Sequence, residues 1–268
     1  MSAWVHTLVL FLLVLVGGAP EPARDGSRSA PAAPDREARA RAIVDRAIEA
    51  HGGLEAWRHK KDVVFSTTWT HYRAGRPRFS SRYRVMFPTT PGPRRARIEA
   101  EENGKPVLMG VSGSRSWFVV GGAPHEDTAS LVANRAFVRK AYALLALPFM
   151  LDDPGYRFVY DGHEVRGGQD VDRVQVEQGL EPPMLLLFDS STGRLTGAGS
   201  TVSDRPTTML GDAHDFEVVD GIAIPTSQTY DRVDPATGAV TRALEVTIET
   251  VRFDNGLPAR MFEPPAAP

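Results

Sequence analysis

The chain has 268 residues, length enough for one large all-β domain or two smaller ones with a sizeable core. Its hydrophobic content of 42% and charged content of 24% exclude wholesale disorder, and a pI near 6.4 without a recognition motif excludes nucleic acid as a partner. The net charge of -2 conceals an asymmetry: residues 1–150 carry 22 Lys and Arg against 13 Asp and Glu, and residues 151–268 carry 9 against 20, which makes the molecule electrically polar.

The first element is the apolar run Leu8–Val16. It is too short for the roughly twenty residues that span a bilayer and suits the core of a secretory signal, so residues 1–19 read as a signal peptide or an N-terminal anchor. Export is the expectation, to the periplasm or with the chain held at the inner membrane by the uncleaved segment. Residues 20–36, rich in Pro, Ala, Ser and Arg, read as a linker whose reach is at most about 50 Å. The chain contains no cysteine. That removes acylation on an N-terminal Cys, disulfides and thiolate metal sites, and leaves the core of residues 37–265 to supply stability unaided.

Asp35 is a candidate N-cap, and Ala40, Ile43, Val44, Ala47 and Ile48 recur at helical spacing until His51-Gly52-Gly53 ends the pattern. A short turn of helix, Leu54 to Arg58, follows. A second helix is predicted from about Ser130 to Leu147, with Phe137, Ala141, Leu144 and Leu145 on one face and Pro148 as its stop. Val138, Tyr142, Leu147, Phe149 and Met150 widen its apolar stripe, so it must be covered on more than one side. Elsewhere, runs such as Val63–Tyr72, Phe79–Phe87, Val107–Val111, Trp117–Val120, Arg173–Glu177, Met184–Phe188 and Leu244–Val251 alternate with turn sequences including Asn103-Gly104, Gly167-Gly168 and Asp220-Gly221. The reading is a mainly β (α+β) domain: a curved antiparallel sheet of about eleven strands, with an N-terminal helix and a central helix.

Chemistry-bearing patterns are sparse. The seven histidines form no compact metal spacing, and His125-Glu126-Asp127 and His214-Asp215 are loop neighbours with no ligand geometry implied. Ser112 and Ser114 stand outside a nucleophile elbow, and no phosphate loop is present. No catalytic residue, metal or cofactor is expected. Arg73, Arg76, Arg78, Arg82, Arg84, Arg94, Arg95 and Arg97 follow the predicted strands, either as a solvated face or as a surface that meets an anionic membrane.

Three segments carry a family resemblance: His51-Gly52-Gly53-Leu54-Glu55-Ala56-Trp57; the turn Asp189-Ser190-Ser191-Thr192-Gly193-Arg194-Leu195; and the closing strands, with Asp220-Gly221-Ile222-Ala223-Ile224-Pro225, Asn255-Gly256-Leu257 and Phe262-Glu263-Pro264-Pro265. Together they resemble the LolA/LolB-like lipoprotein-localisation superfamily over most of residues 38–265. The resemblance implies a half-barrel whose concavity holds acyl chains, with the second helix as a lid or plug across its mouth. Strands apolar at every position, among them Met184–Phe188, need cover on both faces, which is consistent with an internal cavity. The expected lining is Trp69, Tyr83, Val85, Phe87, Met109, Trp117, Phe137, Leu145, Phe149, Leu185 and Leu187, with Arg82 and Arg84 at the rim to meet a headgroup. The function so implied is an exported, non-enzymatic carrier or sensor of a lipid, acyl chain or lipoprotein. A protein-interaction module built on the curved sheet is the alternative, and a hydrolase of lipid-like substrates ranks third. The oligomeric state is not legible.

Overall fold

A computed structural model describes residues 33–90, 92, 94–178, 183–202, 205–234 and 236–265. The apolar N-terminal run and most of the linker lie outside the described residues. Helix α1 is Ala33–Ala50, so the last part of the expected linker is already helical. Proline is compatible with a first helical turn, where its missing N–H has no intrahelical partner to lose, and Pro34 therefore does not delay the start to Asp35. Helix α2 is Leu54–Arg58, and helix α3 is Thr128–Met150.

The strands are β1 (Asp62–Arg73), β2 (Arg76–Pro88), β3 (Arg95–Glu102), β4 (Lys105–Ser112), β5 (Arg115–Val120), β6 (Ala123–Pro124), β7 (Tyr156–Arg166), β8 (Gln169–Gln178), β9 (Met184–Asp189), β10 (Leu195–Val202), β11 (Arg205–Val219), β12 (Ile222–Val233) and β13 (Val240–Phe253). All thirteen form one antiparallel sheet in the order β6-β5-β4-β3-β2-β1-β13-β12-β11-β10-β9-β8-β7, which does not close. The sheet is two meanders, β1–β6 and β7–β13, joined where the first strand pairs with the last. The count exceeds eleven because β6 has only two residues and β10, Leu-Thr-Gly-Ala-Gly-Ser-Thr-Val, lacks the β-branched density that marks a strand.

This order places β6 and β7, which are consecutive in the chain, at opposite edges of the sheet. The connection is α3. Twelve inter-strand spacings of about 4.8 Å make an arc of about 58 Å, whereas 23 helical residues at about 1.5 Å each reach only about 34 Å. With the three residues before the helix and the five after it the connection can reach about 60 Å, so length alone does not force a curl; the sheet is curved, and α3 crosses its hollow against β2–β5 and β12. Helix α1 packs beside it, over β7.

Strand pairing separates the two faces. Phe65 and Trp69 of β1, Tyr83, Val85 and Phe87 of β2, Ile98 of β3 and Met109 of β4 share the inner face and one core with the helices. The chain's last segment instead returns over the outer face. There a 3-10 turn, Ala259–Phe262, buries Phe262, and the Trp117 Nε1–H donates to the Phe262 carbonyl at 3.4 Å. The Asp62 carboxylate fastens this segment by accepting from the Asn255 and Leu257 N–H groups and from the Asn255 amide. Burial pushes its pKa up, but these hydrogen bonds outweigh it and hold the carboxyl below its ordinary value.

Candidate functional site: the concave face and its central helix

The concave face gathers most of the residues predicted to line it. Trp69, Tyr83, Val85, Phe87, Met109, Phe137, Leu145 and Phe149 all belong to one buried cluster. Phe137 of α3 stands 5.0 Å from the Trp69 ring and 5.2 Å from Tyr83, and Phe149 stacks on Trp57 of α2 at 4.4 Å. These contacts fill the hollow. From Ala133 to Met150 no residue of α3 is exposed, as the wide apolar stripe requires. A crevice of about 20 Å³ remains beside Tyr142, bounded by Ala96, Val111, Val138 and Met150.

Five predicted residues lie elsewhere. Trp117 is on the outer face, directly opposite Gly110; its indole occupies the space that a Cβ at Gly110 would need, 2.1 Å away. Leu185 and Leu187 form an outer cluster with Leu210, while Leu186 and Phe188 turn inward. Both strands are apolar at nearly every position, so period-two alternation could not identify the inward parity, and one residue of slip reverses the face. Arg82 and Arg84 also point outward, paired with Glu249 and Glu99, the latter at 3.1 Å. They do not form a rim to the concavity.

The second helix does not stop at Pro148. It continues to Met150, and Pro148 is buried within its last turns. Having no N–H, Pro148 cannot bond the Leu144 carbonyl four residues before it. Gln228 of β12 takes that role: its Nε2 donates to the Leu144 carbonyl at 3.3 Å, and its Oε1 accepts from the Tyr230 hydroxyl at 2.7 Å. Tyr230 in turn covers Gly211, where a Cβ would lie 2.5 Å from its ring, and burial raises its pKa.

One side chain was missed in the sequence and stands apart from this apolar packing. The ammonium of Lys140, on α3, lies 4.7 Å from the centroid of the Tyr230 ring and 5.7 Å from that of Trp69. Burial lowers its pKa to about 8, and no carboxylate among the described residues offsets that. His71, two residues along β1 from Trp69, is lowered to about 4 by burial and then by the nearby Lys140 charge. The signal was weak, since Lys140 directly follows Arg139 in a helix that also carries Asn134 and Arg135.

Other candidates resolve into structural roles. Asp127 is the N-cap of α3, accepting from the Ser130 N–H at 2.8 Å; His125 stacks on Phe118; and His214 contacts the Thr229 hydroxyl. Ser112 meets Glu263. Among the described residues no group of three or more His, Asp or Glu is placed to hold a metal.

No protein-family model matches the sequence, and no curated protein matches it. Solved structures do. A DUF1329 family protein from Desulfovibrio piger superposes with a TM-score of 0.56 at 15% identity, covering 84% of this chain and 97% of that one. The LolA superfamily protein NE2245 from Nitrosomonas europaea gives 0.53 at 14% identity, with coverage of 84% and 97%. The chain has the LolA/LolB-like fold. A putative outer membrane lipoprotein-sorting protein domain from Vibrio parahaemolyticus shares this LolA-like fold, with a TM-score of 0.51 at 12% identity over 82% and 97%.

Within the LolA-like fold, three of the segments that carried the resemblance meet at one place, whereas Asn255–Leu257 and Phe262–Pro265 lie in the C-terminal segment on the outer face. His51, buried at the end of α1, bonds the Ala223 carbonyl through Nδ1 at 2.9 Å and accepts from the Leu195 N–H at Nε2, 3.2 Å, while its own carbonyl accepts from the Ala223 N–H. An Nε2 that accepts is unprotonated, so the ring is the neutral Nδ1–H tautomer. Burial lowers its pKa to about 4, the Ala223 bond opposing and the Arg194 charge assisting. Arg46 donates to the carbonyls of Ser190 and Ser191, whose turn is held by the Asp189 carboxylate. These three segments form a clasp between α1, the β9–β10 turn and the β11–β12 turn. They specify the fold and stand apart from the concave face.

Proposed function

We propose that this protein is an exported, non-enzymatic carrier or sensor that takes the acyl chain of a lipid or lipoprotein into the concave face of its half-barrel, in place of apolar side chains of helix α3. The observation that carries the reading is the apolar inner face, lined by aromatic rings and covered by a helix whose wide apolar stripe runs from Ala133 to Met150. Burial of a hydrocarbon chain contributes about 0.8 kcal/mol per methylene, or about 11 kcal/mol for fourteen of them. Withdrawing Phe137, Leu144, Leu145 and Phe149 costs about 1.5–3 kcal/mol apiece by the same measure, so the exchange is of like for like. The fold supports the reading, and the N-terminal apolar run supports export to the periplasm, free or tethered.

A filled interior favours a second reading, in which the sheet serves as a protein-interaction module. Native mass spectrometry of the full chain purified from an exporting host, followed by organic extraction, separates the two. A co-purifying lipid or acylated peptide is the expected result. An apo mass that stays unchanged after incubation with lipids and lipopeptides would overturn the carrier reading.

A further inference from the structure

The concave face contains two nitrogen donors without acceptors among the described residues. The Trp69 indole Nε1–H is buried with no hydrogen-bond partner, on a side chain only 2% exposed. The Lys140 ammonium beside it has two aromatic faces and no counter-charge. Buried polar groups such as the indole N–H are normally bonded, and Lys140, half-buried against the same rings, is the cation that an acceptor there would meet. The remaining polar groups nearby are already engaged, Tyr230 with Gln228 and Gln228 with the Leu144 carbonyl. His71 is held neutral, so the site has one positive charge.

We propose that Lys140 and Trp69, with Tyr230 as the third wall, bind the carboxylate of a long-chain fatty acid whose tail lies along the concave face. A carboxylate offers one oxygen to the ammonium and one to the indole N–H, and its single charge equals that of the site. A fatty alcohol or ester brings no charge, and a phosphate dianion brings a charge the site does not balance. The surroundings are those of a tail: Phe137, Tyr83 and Met184 belong to or pack on the same core. The indole is covered by Phe137, so turning that one side chain aside uncovers the donor while Lys140, on the same helix, stays beside it. This inference rests on the carrier reading and specifies its ligand.

The test is titration of the delipidated full-length protein with palmitate, hexadecanol and dipalmitoyl phosphatidate, followed by native mass spectrometry. A hydrogen bond to a charged group contributes about 1.5–3 kcal/mol, so palmitate is expected to bind at least about ten-fold more tightly than hexadecanol. The preference is expected to fall to about two-fold or less in Lys140→Met and to persist in Lys140→Arg. Equal binding of palmitate and hexadecanol by the wild-type chain would overturn the carboxylate site and leave the carrier reading standing. Preference for phosphatidate over palmitate would also overturn it, as would binding of none of the three; the carrier reading falls as well only if lipopeptides likewise fail to bind. The wild-type comparison decides even where a variant fails to fold.

Discussion

The substitution Gln228→Met tests the bond that lets α3 continue through Pro148. It removes the donor to the Leu144 carbonyl and the acceptor of the Tyr230 hydroxyl, both in buried surroundings, while keeping the side chain's length. A buried polar group left unsatisfied costs about 1–3 kcal/mol, so the pair sums to about 2–6 kcal/mol. The mechanism is isolated by adding Pro148→Ala, which restores an N–H four residues after Leu144 and re-bonds its carbonyl within the helix. In the double variant one of the two losses is repaired, and the destabilisation is expected to fall short of the sum of the single variants by about 1–2 kcal/mol. Urea unfolding followed by tryptophan fluorescence measures all four species, because Trp57 and Trp69 lie against α3. Single-variant costs that add to within about 0.5 kcal/mol would show that Gln228 does not serve the carbonyl freed by Pro148.

His51 gives a pH dependence of definite sign. Its folded pKa of about 4 lies below the 6.5 of an unperturbed imidazole, so between these values the unfolded chain takes up a proton that the folded chain refuses. Stability is therefore full above about pH 6.5 and declines as pH falls towards 4, by about 3 kcal/mol in all. Urea unfolding across that range measures the decline, and an NMR titration of the His51 ring with a midpoint near 6.5 would remove its cause. Gly52→Ala would place a Cβ 2.2 Å from the Gly221 carbonyl oxygen at a φ of +114°. It is expected to destabilise by about 2 kcal/mol or more, read as a lowered melting temperature, and a melting temperature equal to wild type would show that the clasp tolerates separation.

The sequence revealed architecture where pattern and geometry coincide. In β1 and β2 polar residues alternate with apolar ones, and Trp69, Tyr83, Val85 and Phe87 were placed on the correct face. In β5 alternation disappears because the C-terminal segment covers Trp117, and in β9 because Leu185 and Leu187 pack sideways on Leu210 of β11 across the bare Gly197 and Gly199 of β10. Such cover comes from residues distant in the chain and leaves no local trace. Pro148 misled for a related reason: its helix-breaking effect is local, whereas the group that compensates it, Gln228, is eighty residues further on. The polar cage escaped because Lys140, Trp69 and Tyr230 come from three separate elements. By contrast the turn motifs were legible, since positive φ at Gly52, Gly53, Gly193 and Gly221 selects glycine at each position independently of the fold.

The path of α3 from one rim of the sheet to the other makes the half-barrel a strung bow. The string is covalently continuous with both tips, β6 on one side and β7 on the other, and the grip is the β1–β13 pair where the chain's two ends meet. On the proposed carrier reading, a guest lodged between string and bow would slacken the string, by unwinding turns near its termini, or spread the tips apart. Its presence would then register as a change in the separation of two outer edges, remote from the guest itself.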